Sequence, residues 1–513
     1  MDLKIEHILT TKRGKRCIVI EQYKYTESNI LQNETIRFRC TNKKCKVSVL
    51  IDSNVKNILE MTTHLHNHEP STKRSLAIDI IRSSSKKKAT EQTHEKPNKI
   101  IRKELLADKS GLQNELNYSD INLIRRSIYR SRKQQYPILP KSQKESFDQL
   151  YDMQSTIKYN DQQFCFVNQQ KSIVILTCRD NLQLLCKSKN VFGDGTFSYC
   201  PKFFCQLYTL HVYTYNYYVP VAYIFLTSKS TNNYLNMWFE ISKLCNELIG
   251  KILQVDFFHS DFEKAAHLAT TQTFPNCQLI TCTFHLGQSW YRQIVKHKNL
   301  SKAYSIKDSE IGLWLKFFFG LSFLPPSEVG DAFTELLSIM PADNECVQFA
   351  DYVLDTYIDE NSEFPPHLWA SSPIFDHPRT TNGPESFHSH FNKQFYTPHP
   401  HVHQVIAVLL EIQTENMIKI NSISKNIPNV QRKETIKKKE FVQETWIKYE
   451  KGNISQLEYI KCLVIIKDAI VWSCKQNDKK LNRCVLVLDK EGLQIGSSAC
   501  RMHDLCDEGV IRE

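Results

Sequence analysis

At 513 residues, with 41% hydrophobic and 24% charged side chains, the chain has the length for two to four independently cored domains, which excludes a peptide-sized module. Its 66 Lys and Arg against 55 Asp and Glu leave a formal net charge of +11, a balance that suits a polyanionic partner without requiring one, because a diffuse positive excess also serves solubility. The opening MDLKIEHILT puts Asp2, Lys4 and Glu6 where a secretory signal needs an apolar run, and no stretch reaches the roughly 18 apolar residues of a membrane span. A soluble, intracellular protein with no membrane partner is therefore expected, and its 17 cysteines read as buried thiols and metal ligands rather than as disulfides.

In chain order, residues 1 to about 70 carry strand-like words, CIVIEQYKY after the turn-like Lys12-Arg13-Gly14-Lys15, then TIRFRC and KVSVLID, and predict a small β-rich unit. From 71 to 145 the composition turns to Lys, Arg, Ser and Glu, including Ser83-Ser84-Ser85-Lys86-Lys87-Lys88, and reads as a basic linker with embedded helices. Between 146 and 425 strands and helices alternate and then give way to helices. SIVILTC, KNVFGDGTF, FFCQLYTLHVYTY, YVPVAYIFLTS, ILQVDFFHSD and CQLITCTF read as strands, while NNYLNMWFEISKLCNELI and FEKAAHLATTQTF read as helices. This multidomain α/β pattern predicts a mixed sheet with flanking helices and a helical insertion over about 286–376. Residues 426–513 read as a charged helical and Cys-containing tail with Cys474, Cys484, Cys500, His503 and Cys506.

Cys40 and Cys45 stand in a CxxxxC spacing, and His66 and His68 follow as HxH. Two thiolates and two imidazoles satisfy tetrahedral Zn2+ with no open position, the mark of a structural site. For so short a unit the metal supplies much of the folding free energy. His64 and His66 make an equally spaced pair, so the choice of histidines stays open. TKRGKRCIVIEQYKYT, TIRFRC, KKCKVSV and THLHNHEP together resemble the FLYWCH-type zinc finger, with Phe38 where that family usually shows Trp. The resemblance implies Zn2+ at Cys40, Cys45, His66 and His68, and DNA binding, to which Lys43, Lys44 and Lys46 would contribute phosphate contacts.

Three short acidic words follow: GDGTF around Asp194, HSDFEKAA around Asp261 and TNGPESFHSH around Glu385. Asp194 lies at the end of a hydrophobic strand and Asp261 where a strand hands over to a helix, so both belong at the C-terminal rim of a sheet. Singly, each has a plain structural explanation: a turn at Asp194-Gly195, a helix N-cap at Asp261, and a first-turn acid at Glu385. As an ordered set they suit a nuclease that holds two divalent ions about 3.5 to 4 Å apart.

DGTFSYCPKFFCQLYTLHVY, VPVAYIFLTSKSTNNYLNMWFEI, SDFEKAAHLA, CTFHLGQSWYRQI, LWA and RTTNGPESFHSHFN resemble, in order, the Mutator-like (MULE) transposase domain over roughly 145–425. The resemblance implies an RNase H-like fold in which Asp194, Asp261 and Glu385 form a DDE triad holding Mg2+ or Mn2+, with hard oxygen ligands for hard cations. Cys282 and His285 form the CxxH that accompanies the family after its second acid. They are half of a zinc site or a structural or DNA-contacting pair. His388 shares a helical face with Glu385 and is a further accessory candidate. Gln206 and Trp369 also sit in family-like words, where a strand-face polar group and a core aromatic explain them.

Arg125, Arg126, Arg130, Arg132 and Lys133 crowd one helical stretch with Tyr129 and are expected to track phosphates. The whole then implies a DNA transposase that cuts and joins double-stranded DNA at element ends and target, in the nucleus, as a homo-oligomer because two ends are handled together. The alternative is a domesticated, catalytically silent zinc-finger DNA-binding regulator.

Overall fold

The computed structural model describes residues 3–463 apart from 12–13, 93–94, 109–110, 307 and 374–380, so Cys474, Cys484, Cys500, His503 and Cys506 lie outside the described residues. The chain divides into two units, one of residues up to 142 with 390–411, the other of 143–389 with residues from 412 onward. No helix among the described residues is long and apolar enough to cross a membrane.

The first unit begins with a six-stranded antiparallel sheet in sequence order, β1 (His7–Thr10), β2 (Arg16–Ile20), β3 (Tyr23–Ile30), β4 (Ile36–Cys40), β5 (Ser48–Ile51) and β6 (Ile58–Met61). The word CIVIEQYKY is two strands rather than one. Glu21 and Gln22 take φ of 47° and 64°, the left-handed pair that closes a two-residue hairpin with the twist of its flanking strands. Alternation sends Ile18, Ile20, Tyr25, Ile36, Phe38, Val49 and Ile51 to one core, with Phe38 fully buried at its centre.

Residues 71–142, read as a basic linker with embedded helices, contain three helices that pack together, α1 (Lys73–Glu91), α2 (Pro97–Ala107) and α3 (Tyr118–Lys133), with a core of Ile81, Ala89, Ile100, Ile101, Ile124 and Ile128. The Ser-Lys run lies inside α1 because the Thr72 hydroxyl caps that helix by accepting from Ser75 N, and because Ile81, Ser85 and Ala89 recur on one buried stripe. Arg74 grips the buried Asp120 carboxylate through two bonds of 3.0 Å, and Asp120 completes a capping box with Asn117 at the start of α3. Lys88 pairs with the buried Glu104.

The second unit starts with α4 (Gln143–Met153) and a small hairpin of β7 (Lys158–Tyr159) and β8 (Gln162–Gln163). Its main sheet adds β9 (Cys165–Val167), β10 (Val174–Leu176), β11 (Asn190–Thr196), β12 (Gln206–Thr214), β13 (Tyr217–Leu226), β14 (Phe257–Ser260) and β15 (Gln278–Thr281). The spatial order is β15-β14-β11-β12-β13-β10-β9. β11, β14 and β15 pair parallel, and every other pairing is antiparallel. Helices α5 (Arg179–Leu185), α6 (Thr231–Ile249) and α7 (Lys264–Thr273) pack against this mixed sheet, and β12 and β13 are buried almost throughout because both of their faces are covered.

A helical body follows: α8 (Thr283–Lys296), α9 (Lys298–Ser305), α10 (Glu310–Phe317), α11 (Val329–Ser338) and α12 (Asn344–Val353). Its core gathers Trp290, Trp314, Phe318, Phe349 and Trp369, together with Val442, Tyr459, Ile460 and Leu463. The last four belong to the stretch read as a tail, so residues up to 463 complete the helical core rather than hang from it. Trp369 donates its Nε1–H to the Phe364 carbonyl and stands edge-on to Trp290, as a core aromatic. Further helices are α13 (Asn382–Asn392), α14 (Val402–Ser424) and α15 (Lys433–Glu450).

Candidate metal centres

Two groups of metal-ligating side chains bring their ligand atoms within 4.8 Å of one another among the described residues: Cys40, Cys45, His66 and His68, and separately Cys282, His285 and Glu385. In the first, Cys40 ends β4, Cys45 sits in the turn after it, and both histidines lie in the loop after β6 rather than on a strand. Cys40 Sγ is 3.1 Å from His68 Nε2, and Cys45 Sγ is 3.3 Å from His66 Nδ1. Zinc arms of about 2.3 Å to sulfur and 2.1 Å to nitrogen at a tetrahedral angle put such atoms roughly 3.6 Å apart, so the cage needs only to open slightly.

Both rings are oriented from behind. His68 Nδ1 meets the Glu69 carbonyl at 2.9 Å and His66 Nε2 meets the Tyr25 hydroxyl at 2.8 Å, which leaves the other nitrogen of each ring for the metal. Tyr23 stacks flat on His66 with centroids 3.6 Å apart. Burial pushes the Cys40 thiol up. His64 is exposed and outside the group, which takes in His66 and His68. Lys43, Lys44 and Lys46 are all exposed beside the cage.

The second unit places the acids. β11 and β14 run parallel with Phe192 opposite His259, and two residues further on in each strand's direction stand Asp194 and Asp261. Asp194 is mid-strand, not in a turn, and Asp261 does not cap α7, whose N-cap is Glu263. Gly195 is required by its neighbour: a Cβ there would stand 2.5 Å from Gln206 Oε1. Glu385 rises from the first turn of α13, which lies close because Gly383 presses on Tyr218, where a Cβ would come within 2.5 Å of the ring.

One further layer was not legible in the words around the acids. Thr209 pairs with Asp194 across β11 and β12, and His211 follows on the same face. His388, one turn after Glu385, contacts Asp194 Oδ2 through Nδ1 at 3.0 Å and Thr209 Oγ1 through Nε2 at 2.9 Å, and His211 Nε2 reaches the same hydroxyl at 2.9 Å. The available signal was polar Thr209 and His211 two apart in the middle of a strand whose neighbouring residues Leu207, Leu210 and Val212 are apolar. Thr381 was also missed: it donates from N and Oγ1 to Cys282 Sγ at 3.3 and 3.1 Å, and its Oγ1 lies 3.2 Å from Glu385 Oε1.

The charges are tightly coupled. Burial raises Asp261 to about 6 and Glu385 to about 7, with the His285 cation drawing both back down and the Asp194 charge adding to the rise. Burial opposes ionisation of Asp194 too, but His388 and His285 outweigh it and hold this carboxyl below its ordinary value. Burial works against the His285 cation, yet the Cys282 thiol group and the carboxylates of Glu385 and Asp261 push it up to about 10. The buried Oη of Tyr208 and Oε1 of Gln206 carry no hydrogen-bond partner. A set of carboxylates, Asp194 buried and Asp261 and Glu385 half-buried, with unpaired oxygens beside it, is chemically suited to hard divalent ions.

The basic stretch divides. Arg126, Arg130 and Lys133 are exposed with Tyr129, and Arg125 is partly engaged by Asn98 and Asn122. Arg132 is buried, donating to the carbonyls of Ala89, Gln92 and Glu95 at 3.1, 2.7 and 2.6 Å, and so satisfies the C-terminal end of α1 instead of facing phosphate.

Residues 8–68 match the FLYWCH zinc finger domain and residues 191–289 match the MULE transposase domain. The second match contains Asp194, Asp261, Cys282 and His285, and ends before Glu385 and His388. No curated protein matches the chain.

Proposed function

We propose that this chain, with its FLYWCH zinc finger domain and its MULE transposase domain, is a DNA transposase of the Mutator-like class, or an enzyme descended from one. In this reading Asp194, Asp261 and Glu385 form the catalytic triad of an RNase H-like domain. The observation that carries it is that the parallel pairing of β11 with β14 sets Asp194, in β11, level with Asp261, the residue just after the end of β14, with the Asp194 charge acting on Glu385. The fold assignment is supported by five adjacent strands in the order third, second, first, fourth and fifth along the chain (β13-β12-β11-β14-β15), the first three antiparallel and the last two parallel to the first.

The three carboxylates would hold Mg2+ or Mn2+, which when bound lowers the pKa of an attacking water or 3′-hydroxyl and stabilises the leaving 3′-oxygen. The chain's own residues do the positioning: His388 fixes the Asp194 carboxylate, Thr209 and His211 fix His388, and Gly195 leaves room for Gln206 beside Asp194. The N-terminal cage would hold Zn2+ at Cys40, Cys45, His66 and His68 as a structural centre, and the exposed Lys43, Lys44, Lys46, Arg126, Arg130 and Lys133 would bind DNA phosphates. Action in the nucleus as a homo-oligomer on element ends and target DNA belongs to the same proposal.

The test is cleavage of element-end DNA by the full chain with Mg2+ or Mn2+, comparing the parent with Asp194→Ala and Glu385→Ala. Cutting by the parent alone is expected. Equal cutting by all three overturns the triad, and DNA binding by a parent that never cuts identifies a zinc-finger DNA-binding regulator instead.

A further inference from the structure

The group formed by Cys282, His285 and Glu385 has a donor chemistry different from that of the acidic triad. We infer that it is a transition-metal site, selective for Zn2+ over Mg2+, and that it shares Glu385 with the proposed catalytic triad. Cys282 is the N-cap of α8 and His285 lies one turn in, so the CxxH spacing puts thiol and imidazole on one side of the helix start. Glu385 arrives from α13, and the three ligand atoms lie within 4.8 Å of one another, with His285 Nε2 3.7 Å from Glu385 Oε1. Half a site is visible in the sequence, and folding supplies the other half from about one hundred residues away.

Three further observations favour a bound cation over a chance cluster. Cys282 is 2% exposed, and Thr381 approaches its sulfur through both N and Oγ1, at 3.3 and 3.1 Å, which fixes the direction of the sulfur. The same Thr381 hydroxyl lies 3.2 Å from Glu385 Oε1, so with its N–H on the sulfur and its single O–H proton within reach of both sulfur and carboxylate, one residue stands behind two of the three ligands. The Nδ1 of His285 is buried with no hydrogen-bond partner. Sulfur and imidazole donors select Zn2+ over Mg2+, and three protein ligands leave one position of a tetrahedral ion open.

The consequence rests on the triad reading given above. A Zn2+ ion held by Cys282, His285 and Glu385 takes Glu385 away from Asp194 and Asp261, so micromolar zinc is a brake on Mg2+-dependent cutting.

The experiment measures zinc bound per chain by the purified full-length protein at equilibrium dialysis against buffer holding a fixed micromolar concentration of free Zn2+. The parent is expected to hold two equivalents at least, with Cys282→Ser and His285→Asn each holding one fewer. His285→Cys, which keeps a ligand, is expected to retain the parent's content, and this separates loss of a ligand from loss of fold. Reloading with Co2+ gives a second reading: thiolate-to-cobalt absorption must survive in Cys40→Ser/Cys45→Ser and disappear when Cys282→Ser is added. Equal zinc content in parent, Cys282→Ser and His285→Asn overturns the site. In the cleavage assay, Cys282→Ser is expected to raise the zinc concentration for half-inhibition by about tenfold or more, and an unchanged value overturns the brake. A parent that never cuts sinks the triad reading while leaving the zinc counts to decide the site.

Discussion

His388 Nδ1 stands 3.0 Å from Asp194 Oδ2 while its Nε2 stands 2.9 Å from Thr209 Oγ1, so one imidazole ties an acid on β11 to a hydroxyl on β12 and leaves Asp194 a single orientation. Substituting His388 by Gln is expected to lower cutting roughly 10- to 100-fold, the usual cost of losing an outer partner of a metal ligand. The separating readout is the Mg2+ concentration for half-maximal activity, which should rise in His388→Gln. A purely structural role would lower the amount of folded enzyme and leave that concentration alone.

The buried carboxyls make the stability of the metal-free protein pH-dependent. Asp261 at about 6 and Glu385 at about 7 both lie above the unfolded values of about 4, so the folded state binds more protons between those limits. The favourable contribution is complete below about pH 4 and is lost as pH rises through 7. Asp194 adds to both rises and Glu263 to that of Asp261, while His285 opposes both, Lys229 opposes the rise of Asp261 and His388 that of Glu385. In chelator, the melting temperature should fall between pH 5 and 7.5, with a shallower slope for Glu385→Gln. Parallel slopes would remove Glu385 as the source.

Arg132 and its neighbours should separate cleanly. Arg132→Ala removes a buried guanidinium that satisfies three carbonyls and is expected to cost about 2 kcal/mol or more in denaturant unfolding of the first unit. Arg126→Ala, Arg130→Ala and Lys133→Ala change exposed side chains, so stability stays within about 0.5 kcal/mol. If each contacts a phosphate, each loss reduces the slope of log affinity against log salt by about 1. A DNA-binding slope unchanged in all three would show that this face is merely solvated.

Removing the hydroxyl that orients His66 tests the finger without touching a ligand. Tyr25→Phe is expected to weaken zinc about 10-fold or more in competition with a chelator, because His66 Nε2 loses its partner at 2.8 Å. A strong chelator should then abolish the β1–β6 signals in the full chain, since the metal contributes much of this small unit's folding free energy. A β-sheet that persists unchanged after zinc is stripped argues against a structural role.

Gly195→Ala probes the crowding around Asp194. The added Cβ meets Gln206 Oε1 at 2.5 Å inside a buried sheet, and overpacking of this kind costs about 1–3 kcal/mol in urea unfolding. A loss below about 0.5 kcal/mol would mean that Gln206 moves aside freely.

Local features were the legible ones. The strands around Asp194 and Asp261, the helices α6 and α7, and the zinc ligands of the finger follow from short words whose period, turn residues or ligand spacing act over a few residues. The reading of 71–145 as a basic linker with embedded helices did not include a shared core because its apolar residues are sparse: Ile81, Ile100, Ile101, Ile124 and Ile128 make a core only when three helices pool them. The same holds for Val442, Tyr459 and Ile460, whose partners lie more than one hundred residues earlier in the helical core. Arg132 looked like one more basic residue because nothing local marks it as the cap of a helix that ends some forty residues before it.

The sequence by itself determined which chemistry is present: two thiols and two imidazoles in one short segment, three acids in order, and a CxxH between the last two. Only the tertiary structure decided how those groups are shared. Pairing β11 with β14 aligns Asp194 with Asp261, and the seating of α13 brings His388 to Asp194 and Glu385 to Cys282 and His285. Spacing along a chain fixes partners within a turn or a hairpin. Contacts across one hundred residues depend instead on which faces are apolar enough to be buried together, and that is settled by the whole sheet and its helices at once.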